Sequence, residues 1–274
     1  MQEISIDYSH CRDEAHNSSD YSDIPGKYTS SSFKCGSSNC TGGAPAQWRG
    51  YSKGVPYGNN TVETFICSLK FQIPCDLKPP VLLYYRLTNF YQNHRRYVKS
   101  LDSDQLKGTA VSNTSLGACA PLDTDHLEHK NGKPYYPCGL IANSVFNDTF
   151  LNPLQLNVPH SHQSQRPYNM TNKGIAWASD AALYNPTKYN AADIAVPPNW
   201  ALRYPDGYTD KSPPPNLKED EGLQVWMRTA GLPNFSKLAL RNDNETMQCS
   251  TYQVDIEDST YIASCNSCEC TNGH

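Results

Sequence analysis

No stretch of this chain is apolar enough to cross a membrane. Its longest apolar runs, such as 81–85 and 139–142, fall far short of the about 20 residues that a spanning helix needs, and mean hydropathy is −0.65. The amino terminus, MQEISIDYSH, has neither the basic region nor the apolar region of a secretory signal. Charge is scarce, at 18% of residues, and 23 basic residues against 27 acidic leave a net charge of −4. With pI near 6.0 there is no basic field to neutralise a phosphate backbone, which excludes nucleic acid as the expected partner. There is no Gly-x-Ser-x-Gly elbow, phosphate loop or aspartyl-phosphate motif, so no residues are arranged to carry hydrolysis or ATP-driven pumping, and no enzyme is expected.

What is present is polarity without charge. The 274 residues suffice for one large domain, and Asn, Ser, Thr and 18 Tyr supply most of the polar character, with 20 Pro and 16 Gly marking many turns. Eleven cysteines are too many for casual core positions, and only Cys265, Cys268 and Cys270 lie close together, so disulfides are the expectation. Eight Asn-x-Ser/Thr sequons stand beside them, at Asn17, Asn39, Asn59, Asn113, Asn147, Asn169, Asn234 and Asn244. Together they point to an oxidising, glycosylating compartment. A lumenal or extracellular chain must be translocated, yet no signal or anchor is visible. The expectation is an ectodomain, residues 1–274, taken from a longer precursor whose flanking membrane helices are missing here.

Periodicity places the elements. Residues 12–61 are rich in Ser, Gly, Asn and Asp and read as loops pinned by disulfides. In 64–73 the positions Phe65, Cys67, Leu69, Phe71 and Ile73 alternate with polar ones, a strand pattern, and 81–87 is a second β-type run, joined to the first by a turn that holds Pro74, Pro79 and Pro80. Ser100 is placed to cap a short helix over 101–106 that Gly108 ends. Short strands are expected at 174–179 and at 222–229, where Leu223, Val225 and Met227 alternate, and a last one carries Tyr252, Val254 and Ile256. Residues 180–218 hold seven prolines and read as a long ordered excursion across the surface. The sum is a mainly β fold of two packed antiparallel sheets, sandwich-like, with short helices and long disulfide-pinned loops.

Metal sites are weakly signalled. His126 and His129 with Asp123, Asp125 and Glu128 have the composition of a solvated loop, and so do His160 and His162. Cys265 and Cys268 lack the second pair that would complete a tetrahedral set. No cofactor is expected.

Four segments carry a resemblance: YYRLTNFYQNHRRYVKSLDSDQL at 84–106, PCGLIANSVFNDTF at 137–150, KGIAWASD at 173–180 and EDEGLQVWMRTAGLPNFSKL at 219–238, with IDYSHC at 6–11 also similar. The chain resembles the accessory β-subunit of type IV P-type ATPases, the phospholipid flippases, also called the cell-division-control protein 50 or transmembrane protein 30 family. The resemblance runs over about residues 4–256 in one order. It implies two membrane helices, short cytosolic tails and one large glycosylated ectodomain over the lumenal loops of the ATPase. It implies no catalysis by the subunit: the ATPase partner, in a heterodimer, binds ATP and moves lipid, while the subunit supports its folding, its exit from the endoplasmic reticulum and its transport. The place of work would be the lumenal or extracellular face of the endoplasmic reticulum, Golgi, endosome or plasma membrane.

The carboxyl end departs from the family. EDSTYIASCNSCECTNGH at 257–274 replaces the usual approach to a second membrane helix, as an extra disulfide cluster, a lineage-specific ending or a non-native tail, and Gly231 stands where the family has alanine. The resemblance supports a bridge from Cys119 to Cys138, whose loop near twenty residues would stabilise by roughly 3 kcal/mol. Among Cys11, Cys35, Cys40, Cys67 and Cys75 at least two bridges are expected, with the pairing open; Cys249 and the tail cysteines supply the rest, and an odd total leaves at least one without an intrachain partner. Two roles stand for the 84–106 segment. In one, its Tyr and Asn satisfy internal hydrogen bonds and Arg95 and Arg96 pair with Asp102 or Asp104. In the other, Tyr91, His94, Arg95 and Arg96 meet the ATPase, as Tyr and Arg are favoured interface anchors. Asn147, then Asn113 and Asn234, lead the sequons as glycan sites. The competing function class is a freestanding secreted binding module, lectin-like, which this polar, tyrosine-rich composition also allows.

Overall fold

A computed structural model describes residues 2–15, 19–35, 44–57, 60–125, 132–158 and 164–258. In chain order its strands are β1 (Glu3–Ile6), β2 (Ser22–Asp23), β3 (Thr29–Ser32), β4 (Gln47–Tyr57), β5 (Asn60–Ile73), β6 (Val81–Leu87), β7 (Thr124–Asp125), β8 (Lys133–Pro134), β9 (Thr149–Phe150), β10 (Leu154–Leu156), β11 (Gln165–Pro167), β12 (Phe235–Asn242) and β13 (Ser250–Asp258). The α-helices are short: α1 (Cys11–Glu14), α2 (Arg95–Val98), α3 (Ser103–Leu106), α4 (Leu140–Asn143), α5 (Ala178–Ala181) and α6 (Glu221–Met227).

The fold is mainly β and antiparallel, as the alternation predicts. Among the described residues the largest sheet runs β11-β10-β13-β5-β4-β2, with β9 also on β13, while β6 and β12 form a separate ribbon. The two are linked through apolar clusters. Tyr85 of β6 shares one with partly buried Phe150 of β9, and Val81 of β6 packs with Ile73 and Tyr252 of the large sheet. The proline-rich connection 74–80 therefore does not close a hairpin: β5 pairs with β4 and β13, β6 with β12.

At the centre β5 is covered on both faces. Phe65, Cys67 and Leu69 cluster with Trp48, Val254 and Ile256. On the other face Ser68 is wholly buried and satisfied by Tyr21 and Asp255. Its long partner β4 corrects the expectation of loops through 12–61. The eleven-residue strand pairs with β5 from Gln47 opposite Lys70 to Tyr57 opposite Asn60. Gly50, Gly54 and Pro56 hide it from periodicity, but Gly50 is required by close approach, since a Cβ there would lie 2.5 Å from the Phe65 ring.

Four more expectations give way. The 222–229 alternation is a helix: α6 buries Leu223, Trp226 and Met227, spaced three and four apart, and Asp220 caps it by accepting from the Leu223 N–H at 2.9 Å. The strand expected at 174–179 is absent, because the amides of Ile175 and Ala176 donate to the Glu221 carboxylate at 2.8 and 3.1 Å instead of to a neighbouring strand. The cap of the 101–106 helix is Asp102, which accepts from the Gln105 N–H at 2.8 Å, whereas buried Ser100 accepts from the Leu140 N–H at 2.9 Å. Gly108 follows that helix with φ +90°, and a Cβ there would lie 2.3 Å from the Pro186 carbonyl oxygen. The 180–218 excursion is core as much as surface: Tyr184, Ile194, Trp200, Tyr208 and Leu217 are all buried in the largest cluster.

Candidate partner-facing surface

The 84–106 segment leaves β6, turns at Asn89 (φ 57°) and lies against the 228–234 segment that leads from α6 into β12. Four contacts fasten the two. The Asn89 N–H donates to Asn234 Oδ1 (3.0 Å), the Phe90 N–H to the Pro233 carbonyl (3.1 Å), the Ala230 N–H to Gln92 Oε1 (2.9 Å) and Asn93 Nδ2 to the Gly231 carbonyl (3.1 Å). Beneath them the Phe90 ring meets Trp226, Tyr97 and Phe235 edge-on at 5.5, 5.9 and 6.3 Å. Gln105 is wholly buried; its Nε2 donates to the Tyr135 carbonyl and its Oε1 accepts from the Cys138 N–H, both at 2.9 Å.

The segment thus divides by residue. Phe90, Gln92, Tyr97, Ser100 and Gln105 face inward, while Tyr91 is 60% exposed and His94, Arg95 and Arg96 are exposed around α2. The expected pairing of the arginines with Asp102 or Asp104 does not form. Asp102 caps α3, Asp104 lies 3.9 Å from Lys107, and among the described residues neither Arg95 nor Arg96 has an ion pair.

Two further exposed side chains lie close to this surface and were not singled out by periodicity. Leu232, 70% exposed, sits in the 228–234 segment itself. Trp177 is 65% exposed, with the Arg228 guanidinium 4.2 Å over its ring and Arg228 paired with Asp180 at 2.9 Å. Glu221 braces the turn before Trp177. Burial opposes its ionisation, yet backbone donors from Ala176, Gly174 and Ile175 hold its carboxyl below the ordinary value. A leucine between Gly231 and Pro233 was the available sequence signal.

Lys237 supports the same region from below. Its side chain is buried, and Nζ donates to the carbonyls of Val225 (2.8 Å), Trp226 (3.1 Å) and Arg228, so an ammonium closes the carboxyl end of α6. Burial, then the Arg228 charge, pulls its pKa down to about 8.

The structure bridges Cys11 to Cys67, Cys35 to Cys75 and Cys119 to Cys138, with Cα–Cα separations of 6.1, 5.6 and 5.7 Å, and Cys249 is also disulfide-bonded. Cys40, the tail cysteines and the histidines at 126, 129, 160 and 162 lie outside the described residues. So do the sequons at Asn17, Asn39 and Asn59. Asn169, Asn234 and Asn244 are exposed, while Asn113 and Asn147 are half-buried, with Asn113 Nδ2 donating to the Gly132 carbonyl at 3.2 Å. No helix among the described residues is long and apolar enough to cross a membrane.

Known proteins share this sequence along most of its length. A phospholipid-transporting ATPase accessory subunit, CDC50, of Chaetomium thermophilum is 43% identical over 259 residues, 94% of this chain and 63% of that protein. The accessory subunits CRF1 and LEM3 of Saccharomyces cerevisiae are 47% and 39% identical over 201 and 257 residues, 73% and 93% of this chain. The chain spans 47% and 59% of those two proteins, so about half to two thirds of the relatives' length is present. Residues 1–264 match the family described as LEM3 (ligand-effect modulator 3) family / CDC50 family, and the chain belongs to it.

Proposed function

We propose that this chain is the ectodomain of a non-catalytic accessory subunit of a phospholipid-transporting type IV P-type ATPase. It binds the ATPase's extracytosolic loops and supports the partner's folding, its exit from the endoplasmic reticulum and phospholipid translocation. The observation that carries this reading is the similarity to named ATPase accessory subunits over more than nine-tenths of the chain. The working location is the lumenal or extracellular face of the endoplasmic reticulum, Golgi, endosome or plasma membrane, a reading supported by the disulfides and by eight sequons.

The partner-facing surface is Tyr91, His94, Arg95 and Arg96, with Leu232 beside it. Four hydrogen bonds hold the flanking residues 89–93 against 230–234, and the His94 N–H donates to the Tyr91 carbonyl at 3.1 Å, so the segment that presents these exposed aromatic and guanidinium groups is anchored to the fold. The test is the double variant Arg95→Ala/Arg96→Ala in the full-length subunit co-expressed with its ATPase. Co-purification falls while the thermal unfolding of the subunit stays unchanged; undiminished association, or a collapsed fold, overturns the assignment. Glycans are proposed at Asn147, Asn113 and Asn234, and intact mass before and after glycosidase treatment, with glycopeptide mapping, reads their occupancy.

A further inference from the structure

A cleft of about 160 Å³ lies beside Asn147, well below the roughly 300 Å³ at which pockets for drug-sized ligands begin. Its walls are fixed. On one side Phe146 stacks on Tyr85 with centroids 4.0 Å apart and Asp148 accepts from the Tyr8 hydroxyl at 2.9 Å, so both neighbours of Asn147 are held. On the other side the turn bearing Leu202 and Arg203 is tied back to α4: the Trp200 Nε1–H donates to the Ala142 carbonyl at 2.9 Å, and the Asn199 N–H to Asn143 Oδ1 at 3.0 Å. Between them lies Phe65, with the Arg12 guanidinium 4.7 Å over its ring and paired with Asp258 at 3.0 Å.

We propose that this cleft is a saccharide site, filled in cis by the first N-acetylglucosamine of a glycan on Asn147. The inference rests on glycosylation of Asn147. A pyranose offers an apolar C–H face and methyl group together with a rim of hydroxyls. The cleft offers the matching groups: Leu202, 46% exposed, beside guanidinium donors of Arg203 and a carboxylate acceptor at Asp258. Its volume suits one sugar unit, not a chain. A sugar seated there joins the α4–β9 connection to the β4–β5 hairpin and the 199–203 turn, so the glycan stem acts as a tertiary contact and the outer sugars do not.

The experiment uses the full-length subunit from an oligomannose-producing host, with glycopeptide mass spectrometry at Asn147 and tryptophan-monitored thermal unfolding. Trimming to a single N-acetylglucosamine leaves Tm unchanged, whereas Asn147→Gln lowers it by about 2–4 °C. Because Asn147→Gln also removes the asparagine's own contacts, Leu202→Ala is measured in both backgrounds. It lowers Tm in the glycosylated protein and has no further effect beside Asn147→Gln. Fully additive effects, or a loss of Tm on trimming, overturn the proposal. An unoccupied Asn147 in a subunit that still associates with its ATPase overturns it too, and leaves the subunit role standing.

Discussion

At the scale of single residues, neighbours in sequence have opposite fates. Tyr91 stands 60% exposed while Gln92 is wholly buried, and nothing in the string TNFYQNH separates them. Polar aromatic composition tells that such a segment needs internal hydrogen bonds; it does not tell which amide makes them, because the partners of Gln92 and Gln105 at 2.9 Å are backbone groups at 230, 135 and 138. Gln105 is the sharper test. Alanine there leaves the Cys138 N–H and the Tyr135 carbonyl without their partner, an expected loss of about 2–3 kcal/mol in urea unfolding. A loss within a few tenths of a kcal/mol would mean that water replaces the amide.

Among the elements, short helices and strands compete on weak local signals. The alternation of Leu223, Val225 and Met227 fits a strand, and the spacing of Leu223, Trp226 and Met227 fits a helix; the Asp220 cap and the Lys237 ammonium at the far end favour the helix. Lys237 carries a pH signature. Its folded pKa of about 8 lies below the ordinary 10.5, so between those values the unfolded chain binds the extra proton and stability from this group rises with pH. The Tm advantage of the native protein over Lys237→Met should therefore grow from pH 8 towards pH 10, and an advantage that shrinks over that range would contradict the lowered pKa. The missed strand β4 has a different cause: Gly50 is there for the approach of Phe65, a contact fifteen residues away that no local window contains.

For the whole molecule, tyrosine is both composition and core. Burial pushes Tyr136, Tyr168 and Tyr184 up to about 12, and raises Tyr8, Tyr85, Tyr208 and Tyr252 as well. These phenols are neutral in the fold and ionise near 10 when exposed, so their contribution is complete below pH 10 and is lost as pH rises towards 12. Phenolate absorbance from these seven tyrosines should appear in one cooperative step together with the loss of tryptophan fluorescence; titration of all 18 tyrosines with the fold intact would refute it. The sequence by itself determined the family, through four ordered motifs, and the β character, through the alternation in β5 and β13. Only the tertiary structure decided that β5 and β6 belong to different sheets, that 221–227 is helical, and which side chains of 91–96 face outward. Local periodicity is carried by a residue's neighbours along the chain, whereas burial and hydrogen-bond partners come from segments more than a hundred residues away, as the contacts of 89–93 with 230–234 make plain.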